Sequence, residues 1–415
     1  MAPVTPLSDL EQKAAREIAE YLLEHPLVTR KEVDRIKAKF SKKYHVPGMI
    51  RNAAVLEMCS PEESQNLSHL LRRKITRTLS GVAVIAVMTK PVHCPGQCIY
   101  CPGKSSQPGE AAAQSYTGKE PAARRSIMFN YDSRQQVASR IEDLEAIGHK
   151  VDKVEIICMG GTLCAAPTEY QDEFVKGCYD GLLGIETDSL SDAKLLAESS
   201  DRRLVGITFE TRPDYCQEDH VNKMLDYGGT RVEIGVQTVF DDIYERVHRG
   251  HTTADTKNAF RVAKDAGLKI NAHMMPNLPG ATLERDREAF QILFEDSAYR
   301  PDMLKIYPTL VVRGTQLYDL YAAGEYAPYA LDDVVKLIAD VKSNLPPYVR
   351  IQRVQRDIPA NLIVAGVKKS NLRELVQDQL RKTGKKCTCI RCREEGVLRH
   401  LYKQQIDFNQ IQLHR

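Results

Sequence analysis

Val82-Ala-Val-Ile-Ala-Val-Met88-Thr-Lys90-Pro-Val-His93-Cys94-Pro-Gly-Gln-Cys98-Ile-Tyr-Cys101-Pro-Gly103 sets a nearly unbroken β-prone run directly ahead of three cysteines spaced C-x3-C-x2-C. A continuous apolar strand belongs to a sheet covered on both faces, as in parallel α/β architectures. Loops that follow the C-terminal ends of such strands are where these folds gather ligands. Cysteines this close on one loop can converge on a metal centre, and such thiolates ligate iron–sulfur clusters. A four-iron cluster normally takes four thiolates, so three leave one iron without a protein ligand. An open coordination position is where a metal site does chemistry rather than holding a fold together. A structural zinc or a disulfide loop is the alternative, with His93 available as a fourth zinc ligand.

Working outward, strand-like and helix-like segments alternate. Strand patterns over 154–158, 204–209, 231–236, 268–274 and 303–307 end in Met159-Gly160-Gly161-Thr162, Glu210-Thr-Arg212-Pro-Asp214, Gln237-Thr238, Met275-Pro-Asn-Leu-Pro-Gly280 and Pro308-Thr309. Helical patterns lie between them, for example over 133–147, 169–179 and 255–266. Six strands alternating with helices imply a parallel sheet, open or closed into a barrel. Polar or glycine-rich residues at five strand ends downstream of one cysteine loop point to a single shared site.

The chain has 415 residues, enough for two or three domains, with 42% hydrophobic and 27% charged residues, as in a globular protein with ample core. No run of about 18 apolar residues is present and the N-terminus lacks a signal-peptide layout, so a cytoplasmic location and no membrane partner are expected. Eleven cysteines, six of them in two tight clusters, then argue for metal ligation or buried thiols rather than disulfides. Net charge is +3 and unevenly spread: residues 1–90 carry +5 and residues 368–415 carry +7, leaving −9 between them. Basic wings around an acidic body suit a polyanionic partner, or else a solvated helix face.

Residues 8–78 read as helices. Ser8 and Asp9 cap a first helix with apolar positions Leu10, Ala14, Ile18, Tyr21 and Leu22; a second follows Thr29, with Val33, Ile36 and Phe40 on one side and Arg30, Lys31, Arg35, Lys39, Lys42 and Lys43 on the other, its Lys37–Lys43 face a candidate for phosphate contact. Leu70-Leu-Arg72-Arg73-Lys74-Ile-Thr-Arg77 is a basic amphipathic segment suited to phosphate contacts. Near the other end, Lys385-Lys386-Cys387-Thr-Cys389-Ile-Arg-Cys392 has short metal-ligand spacing on a basic turn that favours thiolate. Structural zinc is the expectation there, with His400 or a distant residue as fourth ligand.

The cysteine loop, with Tyr100 before its last cysteine, resembles the signature of radical S-adenosylmethionine (SAM) enzymes. Across nearly the whole chain the sequence resembles the catalytic subunit of Elongator. The matching strings include Cys-Ile-Tyr-Cys-Pro-Gly (98–103), Gln-Ser-Tyr-Thr-Gly-Lys-Glu-Pro (114–121) and Met-Gly-Gly-Thr (159–162). Further matches are Glu-Thr-Arg-Pro-Asp (210–214), Glu-Ile-Gly-Val-Gln-Thr (233–238), His-Arg-Gly-His-Thr (248–252), Met-Pro-Asn-Leu-Pro-Gly (275–280), Leu-Lys-Ile-Tyr-Pro-Thr-Leu-Val (304–311), Arg-Val-Gln-Arg-Asp-Ile-Pro (353–359) and Cys-Thr-Cys-Ile-Arg-Cys-Arg-Glu (387–394). The compact first cysteine spacing looks like a bacterial or archaeal form. The family continues into a GNAT-type acetyltransferase domain, and this chain stops at Arg415 before one, by truncation or as a natural shorter form.

The resemblance implies an α/β radical SAM fold, a partial (β/α)6 TIM-like barrel over 81–312. It implies an N-terminal basic helical module over 1–80 and a C-terminal zinc-binding extension over 313–415. It implies tRNA wobble-uridine modification: reductive cleavage of SAM, hydrogen abstraction from the acetyl group of acetyl-CoA, carbon addition at position 5, and hydrolysis to a carboxymethyl group. Cys94, Cys98 and Cys101 would hold a [4Fe-4S] cluster; Gly160, Gly161, Thr162, Glu210, Gln237 and Asn271 would bind SAM; Lys305 and Tyr307 would face the chemistry; and Cys387, Cys389 and Cys392 would hold Zn. Lys39, Lys42, Arg72, Arg73, Lys74, Arg77, Arg124, Arg125, Lys385 and Lys386 are the tRNA-contact candidates, and a homodimer stays open. The rival readings are another radical SAM enzyme and a tRNA-binding, cluster-bearing scaffold without turnover.

Overall fold

Runs of β-branched residues become strands in the computed structural model, which describes residues 7–46, 48–71, 78–92, 94–102, 112–401, 403–405, 407, 409 and 411. Six parallel strands alternate with helices: β1 Ala83–Met88, β2 Lys153–Met159, β3 Arg203–Thr211, β4 Arg231–Gln237, β5 Lys269–Met274 and β6 Met303–Ile306. A two-residue strand, β7 Val311–Val312, follows, then β8 Arg350–Arg353 and β9 Ile363–Ala365. The main sheet has the order β1-β2-β3-β4-β5-β6-β8, with every neighbouring pair parallel. β7 and β9 form a separate antiparallel pair. The expected six-stranded arrangement is therefore extended by a seventh strand, which the C-terminal extension contributes.

One face of the sheet carries the main apolar core, where Ile85, Val87, Ile156, Ile207, Phe209, Ile234, Ile270 and Leu304 are buried against the covering helices. The opposite face is unusually polar. Strand alternation puts Glu233, Asn271 and Lys305 there, and all three are buried. Burying such groups is costly unless each finds a partner, and they find one another, as described below.

The N-terminal module is four helices, Asp9–Glu24, Arg30–Lys43, Asn52–Glu57 and Pro61–Leu71, around a separate core of Ala14, Ile18, Leu22, Val33, Val55, Leu67 and Leu71. Ser8 and Glu11 form a capping box at the first helix and Thr29 and Glu32 at the second. Leu10, expected in the apolar stripe, is half exposed instead. The module meets the barrel through Thr78, whose hydroxyl pairs with His149 Nδ1 at 2.7 Å. At the other end, helix Leu372–Lys382 buries Leu372, Val376 and Leu380 in the main core, beside the cysteine turn at 387–392. Among the described residues, no helix is long and apolar enough to cross a membrane.

Candidate active site

The C-terminal ends of β1–β6 open into one cavity. Its walls include Cys94, Gly96, Cys98, Cys101, Gln114, Tyr116, Gly161, Thr162, Glu210, Arg212, Gln237, Arg249, His273, Tyr307, Arg353 and Arg356. The loop leaving β1 brings the three cysteines to this mouth, as its position after a buried strand led one to expect.

Each thiol has its own polar neighbour. Cys94 Sγ lies 3.7 Å from Thr162 Oγ1, Gln114 Nε2 donates to Cys101 Sγ at 3.0 Å, and Arg249 Nη1 donates to Cys98 Sγ at 3.3 Å. Burial by itself would raise the Cys98 thiol, but the charge and N–H of Arg249 outweigh it and hold the group below the usual thiol range. Cys98 is therefore predisposed to be a thiolate, the form that ligates metal. The three sulfurs are not gathered as ligands of a single ion would be. Among the described residues, the three cysteines whose sulfurs all lie within 4.8 Å of one another are Cys387, Cys389 and Cys392. Wider spacing around one cavity suits a cluster whose irons each take one thiolate. His93, the alternative zinc ligand, falls outside the described residues.

The turn after β2 supplies the next wall. Gly160 and Gly161 both sit at positive φ, +118° and +80°. A Cβ at Gly160 would come within 2.5 Å of Thr89 Oγ1, which donates to the Gly160 carbonyl at 2.9 Å. Only glycine tolerates that backbone so close to Thr89, and the turn carries Gly161 and Thr162 onto the cavity wall. At the end of β3, Glu210 accepts from Tyr116 Oη at 2.9 Å and lies 3.7 Å from His273 Nδ1. Gln237, at φ +70°, ends β4 on the wall; its Oε1 and Arg212 Nη1 are buried with no hydrogen-bond partner among the described residues. Three thiols, a glycine turn and two orphaned polar groups in one cavity fit a [4Fe-4S] cluster with a polar ligand such as SAM.

Beneath this layer lies a buried ionic network. Glu233 accepts from His273 Nε2 at 2.9 Å and Asn271 Nδ2 at 3.0 Å, and Lys305 Nζ ion-pairs with it. Burial opposes the charge on Glu233, but Lys305 and then His273 hold it far below the usual carboxylate range. Asn271 also donates to Gln352 Oε1 of β8 at 2.8 Å. Asn271 and Lys305 thus lie one layer below the cavity and do not line it: Asn271 Nδ2 and Lys305 Nζ are turned to Glu233 and Gln352, while Asn271 Oδ1 has no partner among the described residues. Their strand neighbours two residues on, His273 and Tyr307, reach the wall and stack edge to face at 5.5 Å.

The sequence reading passed over His273, Arg249, Arg212, Tyr116, Arg353 and Arg356 as site residues. Several lay inside the quoted strings, and a two-residue alternation along β5 would have put His273 on the same face as Asn271.

The tRNA-contact candidates divide. Lys39, Lys42, Arg124 and Lys386 are exposed; Lys385 is exposed and pairs with Asp340 at 3.1 Å. Arg125 Nη2 donates to the Ala86 carbonyl at 2.6 Å, so its guanidinium holds β1. Lys37 is buried and donates to Asn52 Oδ1 at 2.7 Å, which removes it from the basic face. Arg72, Arg73, Lys74 and Arg77 lie outside the described residues. In the tail, flanking thiols donate to Cys389 and hold it below the thiol range, and buried Lys342 Nζ approaches Cys392 Sγ at 4.0 Å. The side chain of His400 is outside the described residues.

Comparison with known proteins agrees with this geometry. Residues 88–293 match the radical SAM superfamily, 301–382 the Radical_SAM C-terminal domain, and 11–79 the ELP3 N-terminal domain. The tRNA uridine(34) acetyltransferase of Methanocaldococcus jannaschii is 45% identical, over 99% of this chain and 77% of that protein. Human Elongator complex protein 3 is 44% identical, over 88% of this chain and 68% of its own length. The solved structure of the archaeal Methanocaldococcus infernus Elp3 with an N-terminal deletion superposes with a TM-score of 0.71 at 42% identity, covering 81% of this chain and 71% of that one. The chain belongs to the Elongator complex protein 3 family of radical SAM enzymes.

Proposed function

We propose that this chain modifies the wobble uridine of tRNA, with acetyl-CoA as the source of the carbon unit that becomes a 5-carboxymethyl group. The observation that carries this reading is the cavity itself: three separately supported thiols, a glycine turn and the orphaned Arg212 and Gln237 atoms converge at the sheet's C-terminal mouth. The relative that matches 99% of the chain bears the name tRNA uridine(34) acetyltransferase. Cys94, Cys98 and Cys101 would hold a [4Fe-4S] cluster, which together with SAM would supply one-electron radical chemistry at this mouth.

The chain's own residues do the binding and orienting. Thr162 and Gln114 brace the outer thiols, while the backbone of Gly160 and Gly161 with Thr162, Glu210 and Gln237 offers donors and acceptors to SAM. Tyr307 and His273 close the far wall, where a flipped base would sit. Zn at Cys387, Cys389 and Cys392 ties the tail to the core beside β8. The tRNA substrate is the reason to place the protein in the cytoplasm.

For docking, Lys39, Lys42, Arg124 and Lys386, with the basic stretch 72–77, are the phosphate contacts. They position the anticodon arm without reading its sequence. The experiment is tRNA binding across a salt series for the wild type, Lys39→Glu/Lys42→Glu and Arg72→Glu/Arg73→Glu. Each phosphate contact removed should lower the log–log salt slope by about 1 and weaken all tRNAs alike. Unchanged affinity and slope in both variants would rule out the N-terminal module as the docking surface.

A further inference from the structure

The two guanidiniums nearest the cysteine loop are more deeply buried than any binding step above requires. Arg249, 7% exposed, has every direction assigned: Nη1 donates to Cys98 Sγ at 3.3 Å, Nη2 to the Gly235 carbonyl at 2.7 Å, and Nε to His251 Nε2 at 3.0 Å. Burial and the Arg249 charge push the His251 imidazole down to about 2, so it stays neutral and serves as an acceptor rather than a competing cation. Arg212, 4% exposed, is gripped by Asp214 through Nε and Nη2, each at 2.9 Å. That grip aims Nη1 at the loop between Cys94 and Cys98, where it has no partner among the described residues. Residue 96 leaves the space for it. A Cβ on Gly96 would lie 2.1 Å from Arg212 Nη1 and 3.6 Å from Cys94 Sγ. Buried cations persist when an anion compensates them, and among the described residues the one carboxylate bonded to either guanidinium, Asp214, is taken by Arg212 Nε and Nη2 rather than by Nη1.

We propose that Arg212 and Arg249 form a cationic clamp on the cysteine loop that sets the reduction potential of the cluster held there. The inference rests on reading Cys94, Cys98 and Cys101 as cluster ligands. One-electron reduction adds a negative charge to a site of low dielectric. Fixed N–H donors and positive charge at its sulfurs favour the reduced form over the oxidised one and raise the potential. Both arginines act through the cysteines and the cluster, so they are positioning residues. Asp214, His251 and Gly96 keep their forks aimed.

The test is an EPR-monitored redox titration of the full chain, anaerobically reconstituted, without SAM. It compares the wild type with Arg212→Gln, Arg249→Gln and Arg249→Lys, with iron and sulfide measured on each sample. At equal iron content, both glutamine variants should titrate at a more negative potential than the wild type, and the lysine variant should fall between. Where a glutamine variant loads less iron, Arg249→Lys carries the measurement, since it keeps the charge and loses only the fork. Midpoints that coincide with the wild type at full cluster content would overturn the clamp. An unchanged midpoint in Arg212→Gln together with weakened SAM binding in equilibrium dialysis would also overturn it for Arg212, making that residue a SAM contact. A wild-type chain that binds no iron at all would sink the cluster assignment itself, an outcome distinct from a loaded cluster whose potential ignores the arginines.

Discussion

Replacing Lys305 with methionine should destabilise the barrel strongly and in a pH-dependent way. Glu233 is fully buried, and Lys305, 4% exposed, is its one fixed positive partner. His273 and Asn271 would still donate to the carboxylate at 2.9 and 3.0 Å, without replacing the lost ammonium. Removing one member of a buried pair leaves an uncompensated ion, which costs about 3–5 kcal/mol. Because Lys305 is a main reason Glu233 is held low, its loss should raise the Glu233 carboxyl. The penalty should then be full near neutral pH and shrink in acid as Glu233 takes up a proton. Pairing Lys305→Met with Glu233→Gln should recover most of the loss, because it removes the uncompensated charge while the amide oxygen can still accept from Asn271. Urea unfolding followed by circular dichroism at pH 7.5 and 5 reads all three variants. A single-variant cost under about 1 kcal/mol, or one that ignores pH and is not relieved by Glu233→Gln, would refute the reasoning.

Two further outcomes follow from buried groups elsewhere. Burial pushes the Asp286 carboxyl from 3.8 up to about 6, despite bonds from the Asn277 N–H and Tyr329 Oη, both to Oδ2. The folded state therefore holds a proton the unfolded chain has released, so stability falls as pH rises from about 4 to 6 and then levels. Asp286→Asn keeps an acceptor for both bonds and should flatten that slope, gaining up to about 3 kcal/mol at pH 7, as thermal melts across pH would show; an unchanged slope would contradict the shift. In the tail, Cys389→Ser should remove about one zinc per chain by elemental analysis and lower the melting temperature, because ligation by the three thiols would tie helix Leu372–Lys382 to β8; zinc retained at wild-type level would exclude this site.

Much of the architecture was legible because buried parallel strands announce themselves as β-branched or apolar runs, as β1 to β4 do, while β5 and β6 were placed by the strand–helix rhythm. β8 was not, since Arg350-Ile-Gln-Arg353 alternates polar residues onto the barrel's polar interior, where Gln352 meets Asn271. The site was legible to within one layer. Strand alternation places Asn271 with His273, and Lys305 with Tyr307, on a common face, but depth along a strand depends on the whole sheet's register. Sequence reading chose Asn271, Lys305 and Tyr307; of these Tyr307 reaches the cavity, as does His273, which it passed over. Arg212 was read only as part of a polar strand end and Arg249 only within a matching string; nothing local signals that both guanidiniums are buried against the cysteine loop. Lys37 sits at the spacing of a basic face, yet Asn52, fifteen residues on, draws it inward. Such non-local pairings are invisible to periodicity.

The central claim is that Cys94, Cys98 and Cys101 and the strand ends around them form a SAM-cleaving centre acting on tRNA. Its most direct test incubates anaerobically reconstituted chain with dithionite, SAM and tRNA, with and without acetyl-CoA, and reads products by mass spectrometry. The account predicts 5′-deoxyadenosine from the wild type, none from Cys98→Ala, and 5-carboxymethyl-type uridine only when acetyl-CoA is present. A fully loaded wild-type cluster that yields no 5′-deoxyadenosine under either condition would contradict it.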